Sequence, residues 1–170
     1  MSTRPVTPPA VAAGDIVVDI ADFAVAGGDA VLVTAGLGSC VAVALHDPAT
    51  GIAGLAHILL PSIGTGPPSI RPAKYADTGI PLLVDEMRRQ GAHGRIVARL
   101  AGGARMFAAL LSSGINMGQR NLDATRAALE RLGIPIVAED TGGEYGRSVR
   151  LVAATGAMRV RSLVGGDRDL

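Results

Sequence analysis

From Asp15 onward the chain is a succession of short apolar runs, each cut off by a Gly, Pro or Asp turn signal, and this punctuation constrains the fold more than any other feature. Runs of this length, rich in Val and Ile and largely alternating, form strands that bury one face. "DIVVDIADFAVA" and "AVLVTAG" read as strands, followed by the two arms of "CVAVALHDPATGIAGLAHI", then "RIVARLAGGA" and "IPIVAED". "RSVRLVAATGAMRVRSL" reads as a closing hairpin around "ATGA", with Arg147, Arg150, Arg159 and Arg161 facing outward or toward a partner. A helical period appears in "DTGIPLLVDEMRRQGA", with Asp77 or Thr78 as cap, an apolar stripe of Ile80, Leu83, Val84 and Met87, and Gly91 closing it. It appears again in "NLDATRAALERLG", with Leu122, Ala128, Leu129 and Leu132 inward, and "RMFAALLSSG" reads as a short helix. The Pro- and Gly-rich "PSIGTGPPSIRPAKYADTG" is a long loop. Strands in hairpins outnumber helices, so the expected fold is α+β: packed mixed or antiparallel sheets flanked by helices.

The expected organisation is a flexible leader over residues 1–14, one domain over 15–166 and a tail over 167–170, with no internal repeat. Hydrophobic residues make up 48% of the chain and aromatics only 2%, so the core must be built from aliphatic side chains, Ala and Met. The net charge of +1 and the lack of stacking aromatics argue against nucleic acid and leave protein surfaces as partners. A single cysteine makes no internal disulfide, the N-terminal residues lack a secretory pattern, and no apolar stretch is long enough to span a membrane. A cytoplasmic protein is expected.

The one cysteine, Cys40, follows the glycine turn "GLGS", and His57 lies at the far end of the next apolar run. If "DPAT" forms an even loop centred between Pro48 and Ala49, Leu45 faces Ile52, Ala44 faces Ala53 and Cys40 faces His57. Directly opposed residues share a face, so thiol and imidazole meet. Such a pair can form thiolate and imidazolium, a nucleophile beside a proton donor. Backbone N–H groups from Ser39 to Val41 can face a developing oxyanion, and Thr34 can orient the imidazole. The other reading stays open: a lone Cys in an apolar strand is commonly a small buried hydrophobe, and a lone His beside it a hydrogen-bonded core residue. His46, in the hairpin turn, and His93, between glycines, are expected in solvent. The histidines and cysteine lack metal-site spacing, "GLGSCV" fails the dinucleotide pattern because Val41 replaces its third glycine, and "AGGARM" reads as a plain turn; no metal or cofactor is expected.

Taken together, "TAGLGSCVAVALHDP", "GLAHILLP", "KYADTGIPLLVDEM", "AGGARMF", "NMGQRNLDATRAALERLGIPIVAEDTGGEYGRSVRL" and "TGAMRVRSLVGG" resemble the CheD family of chemoreceptor glutamine deamidases, in order from Asp15 to Gly166. The resemblance implies a cytoplasmic enzyme that hydrolyses glutamine side-chain amides on the helical bundle of chemoreceptors. It places the family's catalytic cysteine, histidine and threonine on Cys40, His57 and Thr34. It implies a fold similar to deamidating-toxin (CNF-like) cysteine hydrolases, and a CheC-type phosphatase as a possible second partner, with Phe107 in the stretch that contacts it. Because a helical bundle must reach the thiol, Cys40 is expected in a groove rimmed by the long loop, with Lys74, Tyr75 and Asp77 as contacts or, equally, as loop and cap residues. The other classes are a non-catalytic regulator of such a phosphatase and a cysteine peptidase.

Overall fold

A computed structural model describes residues 11–64, 67–106 and 114–170. Ten strands form two five-stranded sheets. The first sheet holds β1 (Ile16–Val17), β3 (Val31–Leu37), β8 (Arg147–Val152), β9 (Met158–Ser162) and β10 (Gly166–Asp169), in that order. The second holds β2 (Phe23–Ala26), β5 (Ile52–Ile58), β4 (Val41–Asp47), β6 (Val97–Gly102) and β7 (Ile136–Thr141). Two helices, α1 (Ala76–Arg89) and α2 (Met117–Arg131), complete the described elements. The architecture is the expected α+β, with mixed sheets: β1–β3 and β6–β7 pair parallel and the other pairs antiparallel.

Strand alternation divides the second sheet between two cores. Val41, Val43, Leu45, Ala56 and Ile58 pack against Ile80, Leu83 and Met87 of α1 and Leu122 and Leu129 of α2. The other face meets the first sheet, where Ala42, Ala44, Ala53, Leu55 and Ala101 oppose Leu32, Leu37, Val149, Leu151 and Val160. Each Leu enclosed in either layer contributes about 1.5–3 kcal/mol of transfer free energy. Without bulky aromatics, the layer between the sheets is filled by leucines and valines from one side and mostly alanines from the other.

The local departures from the sequence reading have physical causes. "DIVVDIADFAVA" is two strands in different sheets, because Ala21, the only described non-glycine residue with positive φ (65°), turns the chain between them. Helix α1 starts at Ala76, one residue before the expected cap, with Tyr75 at its boundary and no side-chain cap. Helix α2 starts at Met117, capped by Asn116, whose Oδ1 accepts the Gln119 N–H at 3.0 Å; at its other end Leu132 is 41% exposed, not inward. The arginines of the closing hairpin divide. Arg159 and Arg161 are exposed and pair with Asp167, Arg159 also with Asp169, whereas Arg147 is buried against Asp140 and Arg150 binds Asp15. The segment read as a tail from 167 belongs to strand β10, and Leu170 exchanges backbone hydrogen bonds with Met158. His46 is buried, with Gly156 against its ring, rather than in solvent; His93 is exposed. Residues 1–10 of the expected leader, most of the expected helix "RMFAALLSSG" and Phe107 lie outside the described residues.

Candidate active site

Strand β3 ends irregularly: its pairing with β8 slips between Thr34 and Leu37, and Gly36 takes φ 70°, a conformation that favours glycine. The chain then crosses from the first sheet to the second and delivers Cys40 immediately ahead of β4. The glycine turn after β6 grips this crossing. Gly103 N–H donates to the Cys40 carbonyl at 2.8 Å and Ala104 N–H to the Gly38 carbonyl at 2.9 Å. A Cβ on Gly102 would collide with the Cys40 carbonyl oxygen, which explains the first glycine of "AGGARM" as close approach to the nucleophile's own backbone.

The β4–β5 hairpin pairs Ala42 with His57, Leu45 with Gly54 and Asp47 with Ile52, not Cys40 with His57 as expected. The loop is Pro48–Gly51, centred one residue later than the expected centre. Asp47 holds it by accepting from Ala49 N–H and Thr50 Oγ1–H, and Gly51 closes it with φ 68°. The displacement changes Cys40's partner by two positions, so it preserves the face. Cys40 belongs with Ala42, Ala53 and Leu55 to the layer between the sheets, the face His57 shares by alternation, and is His57's diagonal neighbour.

Thr34 meets His57 from the opposite sheet, with Oγ1 2.8 Å from Nδ1. The same hydroxyl donates its only proton to the Val18 carbonyl at 2.7 Å. It must therefore accept from the imidazole, which fixes the proton of neutral His57 on Nδ1 and leaves the lone pair on Nε2. Nε2 is buried with no hydrogen-bond partner among the described residues. Burial pushes the His57 pKa down to about 4, a fall only partly opposed by Asp19. Burial likewise pushes the Cys40 thiol up, partly opposed by its own backbone N–H. Both shifts favour a neutral thiol beside a neutral imidazole at rest, in place of the ion pair admitted from the sequence.

A groove of about 1050 Å³ reaches Cys40. Its walls include Ser39, Met106, Asn116, Tyr145 and Leu163, so it is built by the crossing after β3, the turn after β6, the start of α2 and the ends of β8 and β9. Thr34 and His57 do not line it and are 1% and 0% exposed, so they lie behind the thiol rather than beside it. Val41 is enclosed between Ile58 and Gly102 on the neighbouring strands. None of the described residues of the long loop rims this groove. Lys74 O accepts from Leu60 N–H at 2.8 Å, Tyr75 precedes α1 with the Lys74 ammonium over its ring, and Asp77 Oδ1 accepts from Ile63 N–H at 3.2 Å; the three secure the loop to the helix. Among the described residues no cluster of three or more His, Cys, Asp or Glu is placed to hold a metal.

One polar residue near the thiol was missed. Asn121, on α2 and 0% exposed, donates to the Ser39 carbonyl at 2.9 Å and to the Leu59 carbonyl at 3.1 Å. The signal for it was an amide at a position of α2 that the apolar stripe, extended by one residue from Leu122, turns toward the core. The arrangement as a whole defines a class: a two-sheet sandwich whose inner layer holds a thiol at a groove and an imidazole oriented from behind, chemistry suited to acyl transfer from a carbonyl substrate.

The chain belongs to the CheD family. The family described as CheD chemotactic sensory transduction matches residues 59–162. A Thermotoga maritima protein named chemoreceptor glutamine deamidase CheD is 43% identical over 153 residues, 89% of this chain and 94% of its own. A Geobacter metallireducens protein named probable chemoreceptor glutamine deamidase CheD 2 is 50% identical over 151 residues (87% of this chain and 93% of its own), and a Caldanaerobacter subterraneus protein named probable chemoreceptor glutamine deamidase CheD is 45% identical over 148 residues (86% and 91%). No described helix is long and apolar enough to cross a membrane.

Proposed function

We propose that this protein hydrolyses glutamine side-chain amides on the cytoplasmic helices of chemoreceptors to glutamates, through a thioester on Cys40. The observation that carries the reading is the Thr34–His57 hydrogen bond at 2.8 Å, which leaves Nε2 unprotonated on the face that Cys40 shares. Family membership and the names of the relatives support the substrate.

In this reading the glutamine carboxamide enters the groove and its carbon meets the Cys40 sulfur. The thiol proton passes to His57 Nε2 as the S–C bond forms, and the oxyanion is received by the Cys40 N–H. Thr34 Oγ1 accepts from Nδ1–H throughout, which holds the transient imidazolium in place. His57 Nε2–H then protonates the amide nitrogen, the C–N bond breaks and ammonia leaves. Water gives a proton to Nε2 and adds its oxygen to the thioester carbon, and collapse releases the glutamate and returns the proton to sulfur. The balance is amide plus water to acid plus ammonia, with no metal or cofactor. Ser39, on the groove wall, is a second candidate to face the oxyanion; Val41, enclosed by the sheet, is less well placed.

The fold proposed with this reading is akin to the deamidating-toxin (CNF-like) cysteine hydrolases, as the sequence resemblance implies, and an α+β sandwich with cysteine and histidine on one inner face is compatible with it. A CheC-type phosphatase that occupies the same groove would compete with the receptor. The test is the intact mass of chemoreceptor cytoplasmic fragments incubated with wild-type protein and with Cys40→Ala. The expected result is an amide-to-acid mass change at glutamine with wild type alone. The same change with both proteins, or none with several receptors, overturns the reading.

A further inference from the structure

Both amide hydrogens of Asn121 are committed to backbone carbonyls of the two segments that carry the reacting groups, one in the crossing just ahead of β4 and one just past the end of β5. One carbonyl, of Ser39, belongs to the peptide unit whose N–H is that of Cys40. The other, of Leu59, lies two residues beyond His57. The β4–β5 ladder ends at the pair Val41 and Ile58, so Cys40 and Leu59 would be its next pair. The Asn121 side chain therefore joins the strands at the point where their own ladder stops.

We propose that Asn121 is a positioning residue for the deamidation: its amide sets the orientation of the Ser39–Cys40 peptide, and with it the Cys40 N–H, and holds this peptide at a fixed distance from the strand that bears His57. The inference rests on the function proposed above. Two further observations carry it. Asn121 is placed by an exceptionally close contact, because a Cβ on Gly118, three residues earlier on α2, would collide with the Gly103 and Ala104 carbonyls. Those two residues donate to the Cys40 and Gly38 carbonyls, so the helix, the turn and the nucleophile's backbone form one connected unit. A carbonyl that accepts a hydrogen bond polarises its own peptide, so the bond to Ser39 O also strengthens the Cys40 N–H as a donor.

The experiment uses Asn121→Leu, which keeps the approximate shape and removes both donors without adding a charge, and Asn121→Ser, which is too short to span both carbonyls. Thr125→Val, one turn further along the same buried face of α2, is the control for helix perturbation. Each is assayed for deamidation of a receptor fragment per folded molecule, with the folded fraction taken from urea unfolding, and for the pH dependence of Cys40 alkylation by iodoacetamide. The expected result is a fall in kcat of about 10- to 100-fold in both Asn121 variants with KM within about twofold. Their alkylation midpoint moves to higher pH because the thiolate loses a well-aimed N–H, while Thr125→Val keeps the wild-type profile. Unchanged kcat per folded molecule and an unchanged alkylation profile in both Asn121 variants, whatever their stability, overturn the proposal. Alkylation needs no receptor, so a wild-type protein without deamidase activity would defeat the function proposed above while the thiol profile still decides the role of Asn121.

Discussion

The Thr34 hydroxyl carries one proton, and the Val18 carbonyl takes it. That small fact determines which nitrogen of His57 can act as a base. Thr34→Val removes the acceptor for Nδ1–H and leaves a buried carbonyl without its donor, at a cost of about 1–3 kcal/mol in stability. Its kcat should fall about 10- to 100-fold, while Thr34→Ser keeps most of the activity; steady-state deamidation and urea unfolding check both. Cys40→Ala should abolish turnover and change stability by no more than about 1 kcal/mol, since only one small, nearly enclosed side chain is altered. The pH dependence of stability tests His57 directly. The unfolded imidazole titrates near its ordinary 6.5 and the folded one at about 4, so as pH falls the unfolded chain takes up the proton first. The stabilisation is whole above about pH 6.5 and is lost toward pH 4, to a total of roughly 3 kcal/mol. His46, shifted in the same direction chiefly by burial, adds a loss of the same sign as pH falls below its ordinary 6.5. Urea unfolding at pH 7 and pH 5 should therefore show a smaller loss for His57→Gln than for wild type.

Between the residue and the whole, α2 is the element that most directly determines the site. Its residues Gly118, Asn121 and Leu122 pack on the turn after β6 and on the crossing that precedes Cys40. Gly118→Ala would gain up to about 1 kcal/mol of helix propensity. The new Cβ meets backbone carbonyls that have little room to move, so the net effect should be destabilising by about 1–3 kcal/mol, measured by urea unfolding. This contact also marks the limit of what the sequence discloses. The strands were legible because alternation and turn residues act locally, and the shared face of Cys40 and His57 was legible because it depends only on parity. The pairing itself was not, since Asp47 bonding and a left-handed Gly51 select a loop centred one residue later. Asn121 was passed over because its partners, Ser39 and Leu59, are 82 and 62 residues away in sequence. Arg147 resembles Arg150, Arg159 and Arg161 in residue type, but alternation along β8 puts it on the inner face with Val149 and Leu151, where Asp140, on a strand of the other sheet, pairs with it.

Across the whole molecule, Arg147 of β8 and Asp140 of β7 fasten the two sheets at the groove end with a buried ion pair at 3.1 Å, and Arg147 also donates to the Gly142 carbonyl at 2.8 Å. Arg147→Ala would strand the carboxylate and cost about 3–5 kcal/mol, measurable as a lowered urea midpoint. Another link between the sheets is the one on which the proposed chemistry depends. Thr34 stands on the first sheet and His57 on the second, and the inner layer beside them carries Ala42, Ala44, Ala53 and Ala101 on the second sheet's side. Those methyl groups therefore act as shims: they set the width of the gap that the threonine must span. A hydrogen bond tolerates a change of only a few tenths of an ångström, whereas a hydrophobic layer repacks over a wider range. A protein assembled in this way is a vernier, in which a single added methylene far from the groove is read out first as lost turnover and only later as lost fold.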